Sequence, residues 1–209
     1  MLDRIVRLIQ SVTQIGADPA DSDELRLRKM VGVTSVAMGG IPLIFGYGLL
    51  FLWLNESAAG WCLLSGAMLM LLGMFAFSRS RNFAFYNIYW LFITNMSAFS
   101  ATVYLGGFQR DGLFTFWGIV VPLIAVITNR PRYAFGWFFL YAIEIIGMLI
   151  AEPRLRHFNN ISASMISMLS AINLICFAGF VVCMMLFFVL KQDFLLKLLR
   201  EEQVKSEVL

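Results

Sequence analysis

One acidic residue, Glu144, lies inside an apolar stretch of this 209-residue chain that is long enough to cross a membrane. An ionisable side chain at that depth is costly unless it is protonated, paired or hydrated, so function is the first hypothesis to consider. We therefore predict that Glu144 senses a ligand or a proton. The alternative is a neutral glutamic acid that is hydrogen-bonded to a neighbouring Ser, Tyr or backbone group.

Two amides lie at comparable or slightly more outer depths in other apolar stretches, namely Asn95 and Asn173. Amides in lipid usually form hydrogen bonds across helices. We predict that both side chains line one polar pocket with Glu144, and that this pocket opens to the outer side. The alternative is that the two amides only join helices.

Four side chains in the predicted outer loops have the chemistry of a divalent-cation site: Glu56, Asp111, Glu152 and His157. Hard cations prefer several oxygen ligands, which the three carboxylates would supply. The spacing of the four residues matches no known ligand motif, so ordinary solvated loop charge is the alternative interpretation.

The composition indicates which elements position these residues. Hydrophobic residues make up 60% of the chain and charged residues 14%, with a mean hydropathy of +0.79, whereas a soluble domain carries about 25% charged residues. We predict an all-α integral membrane protein with a six-helix bundle at 30–190. The predicted spans are Val31–Leu54, Ser57–Phe77, Phe83–Tyr104, Leu113–Thr128, Tyr133–Ala151 and Ile161–Leu190. Gly39, Gly40 and Pro42 are expected to kink the first of them.

The basic residues predict how the spans are oriented. If the six spans are correct, 13 of the 16 Lys and Arg residues lie on one side. That side is expected to be cytoplasmic, which places both chain ends inside. The basic residues form no continuous face, so a nucleic-acid surface is not expected.

Both ends of the chain have a helical pattern. Residues 1–29 are expected to form a cytoplasmic amphipathic segment, with a helix that starts at an Asp21–Glu24 capping box. Residues 191–209 are expected to continue the last span as a linker helix, with Leu195, Leu198 and Glu202 near heptad spacing, and to lead into a longer parent chain.

Small residues recur at every fourth position of the last predicted span, at Ala163, Ser167 and Ala171. Such stripes let helices approach each other closely. The stripe is a candidate for part of a homodimer contact, with packing inside one bundle as the alternative.

Several segments resemble the membrane domain of bacterial class III adenylate/guanylate cyclases. They are Ile15–Lys29, Arg81–Phe83, Gly106–Phe108, Phe116–Gly118 with Pro122-Leu123, and the tail Arg200–Leu209. The resemblance implies a receptor domain in a bacterial inner membrane that dimerises and regulates cyclic AMP synthesis. In that family a following catalytic domain uses ATP and magnesium, held by paired aspartates. The sequence contains none of that apparatus, so the chain is expected to be neither an enzyme nor a cofactor-binding protein.

Two other functions are compatible with the pattern. Related six-helix sensors also precede histidine kinases, and a small transporter or channel would show inverted repeats or broken helices. No internal repeat is visible in this sequence. Because the outer loops are too short to form a separate binding domain, any ligand is expected to be apolar or lipid-like and to enter among the helices.

Overall fold

The computed structural model describes residues 12–128, 131–155 and 159–207, and within these ranges every regular element is a helix. We number the α-helices α1 to α7. They are α1 (Asp23–Thr34), α2 (Ile41–Trp53), α3 (Ser57–Ser80), α4 (Phe83–Leu105), α5 (Val120–Thr128), α6 (Pro131–Ala151) and α7 (Ala163–Glu207). A π-helical segment, Ser35–Gly40, joins α1 to α2, and 3-10 helices occupy Phe114–Ile119 and Glu152–Arg154.

Five helices in the described part of the chain are long and apolar enough to cross a membrane. They are Asp23–Trp53, Ser57–Ser80, Phe83–Leu105, Arg132–Arg154 and Ala163–Leu186. The fourth predicted span is a shorter apolar helix, Phe114–Thr128, below the roughly 17 residues that a span needs. The all-helical class is thus confirmed, and the long apolar helices are compatible with a membrane bundle. The described residues contain five helices of spanning length and not the six predicted.

Helix α1 begins at a different cap from the predicted one. The Ser22 hydroxyl accepts a hydrogen bond from the Leu25 backbone N–H at 3.3 Å, which satisfies one of the free donors of the first turn. Asp21 instead accepts from the Asp18 N–H at 2.9 Å and pairs with Lys29. The predicted Asp21–Glu24 capping box was therefore wrong by one residue.

The residues expected to kink the first span, Gly39, Gly40 and Pro42, lie in the π-helical segment or just after it. Pro42 has no N–H to donate to the carbonyl of Met38. The Ile41 N–H donates to the Val36 carbonyl, five residues back, which widens the helix there. Such widened turns are frequent at functional sites.

The helix α7 is one continuous element of 45 residues. At about 1.5 Å per residue it is roughly 68 Å long, more than twice the hydrocarbon core of a bilayer. The described backbone is thus helical without a break past residue 190, as far as Glu207. The side chains of Leu195, Leu198 and Glu202 lie outside the described residues, as do residues 1–11.

The core lies among α2, α3, α4 and the first 3-10 helix, where Phe51, Leu63, Leu91 and Phe114 are fully or almost fully buried. Helices α6 and α7 are peripheral: 11% of the residues in their apolar windows are buried, against 44% for α4. Their outward faces are apolar, so lipid or another helix must cover them.

Helices α2 and α3 approach closely where Gly48 faces Gly60. A Cβ atom on Gly60 would lie 2.9 Å from the Gly48 carbonyl oxygen and 2.7 Å from Leu52 side-chain carbons. Only glycine leaves room for the two backbones at this distance.

Candidate functional site

The sharpest sequence candidate, Glu144, forms a hydrogen bond with the predicted pocket residue Asn95. The Asn95 Nδ2 atom on α4 donates to Glu144 Oε1 on α6 at 2.6 Å. Asn95 is 1% exposed, and its Oδ1 atom is buried without a hydrogen-bond partner among the described residues. Both residues line a small cavity of about 10 Å³ together with Thr115, Gly118 and Tyr141. This volume is close to the space that one water molecule needs.

The unpaired oxygen defines what this pair can do chemically. A carboxylate can only accept hydrogen bonds, whereas a neutral carboxyl group can also donate its proton. A proton on Glu144, or a water molecule in the cavity, would supply the donor that Asn95 Oδ1 lacks. The hydrogen bonding of the pair can therefore change with a proton on Glu144 or a water molecule in the cavity.

The third predicted pocket residue, Asn173, belongs to a different cluster. Its Nδ2 atom donates to the Gly112 carbonyl at 2.8 Å, and its Oδ1 atom accepts from Trp117 Nε1 at 2.9 Å and from the Tyr47 hydroxyl. Asn173 is 1% exposed. The predicted single pocket was therefore wrong for Asn173, which joins α7 to α2, to the first 3-10 helix and to the loop before it.

A buried aspartate lies at the start of that 3-10 helix. Asp111 accepts hydrogen bonds from the Leu113 N–H at 2.9 Å, the Thr115 N–H at 3.0 Å, the Thr102 hydroxyl at 2.9 Å and the Thr115 hydroxyl. Burial raises the pKa of Asp111 above its ordinary value, and the hydrogen bonds from Thr115 and Thr102 act in the opposite direction. Asp111 therefore links the start of the 3-10 helix to Thr102 of α4 through these hydrogen bonds.

The predicted cation ligands do not converge. Glu56 is buried and accepts from the Asn160 N–H, and Glu152 accepts from the Gln109 N–H at 3.3 Å. In the described part of the chain, no three His, Cys, Asp or Glu side chains are close enough to hold one ion. His157 lies outside the described residues. These carboxylates connect the loops to one another, which the isolated positions along the sequence did not indicate.

The small-residue stripe is on the surface of α7. Ala163, Ser167 and Ala171 are all exposed, and the Ser167 hydroxyl donates to the Ala163 carbonyl of its own helix at 3.1 Å. The stripe does not pack inside the bundle and is therefore accessible to another helix, as the dimer hypothesis requires. Whether it forms a dimer contact stays a prediction.

Two ion pairs hold the segment before α1 against the bundle. The sequence pattern did not predict them. Lys29 Nζ lies 2.7 Å from Asp21 Oδ2 and donates to the Gly16 carbonyl at 2.9 Å, and Arg81 Nη1 lies 3.0 Å from Asp18 Oδ2. The hydrogen bond from Lys29 lowers the pKa of Asp21. The pKa of Asp18 is lowered mainly by the hydrogen bond from the Ala20 N–H and, next, by the hydrogen bond from Arg81. One of the residues that sequence analysis counted as membrane-orienting charge, Lys29, is thus buried and paired.

In comparisons with known proteins, no protein-family model, curated protein or solved structure matches the chain. The described part of the chain defines the class, an all-helical fold with several helices long and apolar enough to cross a membrane.

The raised pKa of Asp111 predicts a pH dependence of stability. The folded state binds the proton more tightly than the unfolded chain, for which the ordinary value is 3.8. The free energy of unfolding should therefore fall as the pH rises from about 4 through the folded-state pKa, and then level off. Thermal unfolding in detergent across this range measures the slope.

The matched variants for this test are Asp111→Asn and Asp23→Asn, an exposed carboxyl at the start of α1. Asp111→Asn should lose the slope. Because its NH₂ group cannot accept hydrogen bonds from the donors around it, the free energy of unfolding should also fall by about 1–3 kcal/mol. Asp23→Asn should retain the slope. A slope that survives in Asp111→Asn would assign the effect to another group.

Proposed function

We propose that this chain is the membrane sensor and transducer domain of a class III adenylate cyclase. In this proposal it dimerises in a bacterial inner membrane, with both ends in the cytoplasm, and regulates cyclic AMP synthesis by a catalytic domain that follows residue 209. The proposal rests on the sequence resemblance and on one structural observation, the continuous helix α7.

Helix α7 has the properties of an output element. It runs without a break from Ala163 to Glu207, so a shift or rotation at one end moves the other. In the bundle it is attached through Asn173, whose three hydrogen bonds reach separate elements. A long helix held at one buried polar point can pivot there, because the other described side chains that pack it against the core, such as Leu169 and Phe180, are apolar.

The first 3-10 helix, Phe114–Ile119, lies between the candidate input and this output. Thr115 and Gly118 line the cavity beside Asn95 and Glu144, while Trp117 donates to Asn173. A 3-10 segment has weaker hydrogen-bond geometry than an α-helix and often marks a hinge. A change at Glu144 can therefore reach α7 through one short, easily adjusted helix.

The test is a fusion of the full chain to a class III cyclase catalytic domain, with cyclic AMP synthesis measured as the pH of the membrane sample changes. Glu144→Gln carries a donor and an acceptor at every pH, as the neutral acid does. We expect the variant to lose the pH response of the wild-type fusion. The response should be about fivefold if one hydrogen bond of about 1 kcal/mol is transmitted.

The matched control is Glu24→Gln, which changes an exposed carboxyl paired with Arg28 outside the core. This variant should respond as the wild type does, and the isolated catalytic domain corrects for its own pH dependence. Equal responses of the Glu144→Gln and wild-type fusions, with normal folding, would contradict the sensing role of Glu144.

A further inference from the structure

Two neighbouring cavities lie between the first and last spanning helices, apart from the Glu144 site. The first has a volume of about 270 Å³ and is lined by Gly39, Leu43, Trp90 and Thr94, among others. The second, of about 400 Å³, is lined by Thr13, Met30, Thr34 and Cys183, among others. The two cavities adjoin each other.

The two cavities share a common wall. Ser35, Ile124 and Phe180 line both of them. Phe180 belongs to α7, the proposed output helix, and Ser35 opens the π-helical segment. Any molecule long enough to fill both cavities therefore touches the widened turn and α7 at once.

The lining determines which chemistry fits. Most lining residues of both cavities are apolar. Water is not stable in an apolar cavity, and the atoms that line an empty cavity lack van der Waals partners on that side. The edges are formed by exposed residues of two spanning helices, Met30 and Gly39 on the first and Cys183 on the last. In a membrane these edges face lipid, so the molecules that reach them are hydrocarbon chains.

The larger cavity, which Thr13 lines, also contains an unpaired polar atom. The Thr34 hydroxyl is buried without a hydrogen-bond partner among the described residues. The carbonyl oxygen of an ester could accept a hydrogen bond from this hydroxyl. We propose that one acyl chain of a bilayer phospholipid occupies the two cavities, with its ester group at Thr34 and its tail beside Trp90.

Trp90 provides the measurement, because it lines the cavity and is 3% exposed. In a variant of the full chain with Trp53, Trp61, Trp117 and Trp137 replaced by Phe, bilayers of phosphatidylcholine brominated on the acyl chain should quench Trp90 fluorescence. Bromine quenches only at close range, so a Trp90 shielded by protein alone would stay bright. Fluorescence equal to that in unbrominated bilayers would overturn the proposal.

The matched variants are Gly39→Phe and Gly46→Phe. A Cβ on either glycine meets nothing within 4 Å, but only Gly39 lines the cavity. Gly39→Phe should abolish most of the quenching, whereas Gly46→Phe should retain it. Quenching by a brominated free fatty acid in an unbrominated bilayer, without quenching by the brominated phospholipid, would reject the phospholipid as the source.

A second measurement uses the chain with all its tryptophans, in case the single-tryptophan variant does not fold. A phospholipid with a photoreactive group on its acyl chain should label Leu43 or Phe180, and Gly39→Phe should remove that label. Labelling of the exposed Ile146 on α6 should be the same in both proteins. Labelling confined to exposed positions would contradict the proposal. Both measurements report occupancy alone, so their outcome is separate from that of the proposed signalling function.

Discussion

Asn173→Leu is expected to lower the free energy of unfolding by about 2 kcal/mol and to abolish regulation in the cyclase fusion while leaving synthesis intact. Hydrogen bonds between membrane helices are worth about 0.6 kcal/mol each on average, and Asn173 makes three. The substitution removes one hydrogen-bond partner each from the Tyr47 hydroxyl, the Trp117 Nε1 atom and the Gly112 carbonyl. Because these groups belong to three elements, α7 loses its polar attachment to all of them together.

The stability change is measured by denaturant unfolding in mixed micelles, and the coupling by a double-mutant cycle. Tyr47→Phe alone should cost about 0.6 kcal/mol and should cost nothing more in the Asn173→Leu background. Gly179→Leu is the control on α7, since Gly179 is exposed and a Cβ there meets nothing within 4 Å. A fusion that is still regulated after Asn173→Leu would show that α7 is moved through other contacts.

Gly60→Leu is expected to destabilise the bundle by about 3 kcal/mol, near the upper end of the usual cost of overpacking. The added Cβ would lie 2.9 Å from the Gly48 carbonyl oxygen. A backbone atom cannot move aside as a flexible side chain can, so α2 and α3 must separate. Better helix propensity offsets only about 0.8 kcal/mol of this cost.

Thermal unfolding and yield of folded protein measure this effect, with Gly60→Ala as an intermediate step and Gly46→Leu as the control. Gly46 is exposed on α2, and a Cβ there meets nothing within 4 Å. Gly46→Leu should be neutral or slightly stabilising, because only the propensity term remains. Equal unfolding temperatures for Gly60→Leu and Gly46→Leu would mean that the two helices are not in close contact.

The length of each apolar run was enough to predict most of the helices. The predicted Ser57–Phe77 and Phe83–Tyr104 correspond to α3 and α4, which end only three residues and one residue later. The prediction was less accurate around Leu113, which has a positive φ of 63° and is followed by a 3-10 helix. An apolar run contains no signal for that change, because the residues of Phe114–Ile119 are as hydrophobic as those of an ordinary span.

The candidate site could be predicted only in part. Glu144 stood out because a charge inside an apolar run is rare, and it forms a hydrogen bond with Asn95, a residue that was predicted to line a pocket with it. Tyr47 and Trp117 were not among the candidate site residues, because aromatic residues are common in spans. The association of Asn173 with them depends on how α7 is rotated about its own axis.

The sequence by itself determined that the chain is helical and suited to a membrane. This follows because the tendency of a segment to insert into lipid depends on the summed hydropathy of its residues and not on which residues they contact. The tertiary structure alone decided which polar groups meet: Glu144 with Asn95, Asn173 with Tyr47 and Trp117, and Asp111 with Thr102 and Thr115. Such pairing depends on the rotation and height of each helix. When a helix is apolar on all sides, those two quantities are set by close packing, as at Gly48 and Gly60, and by the few available hydrogen bonds.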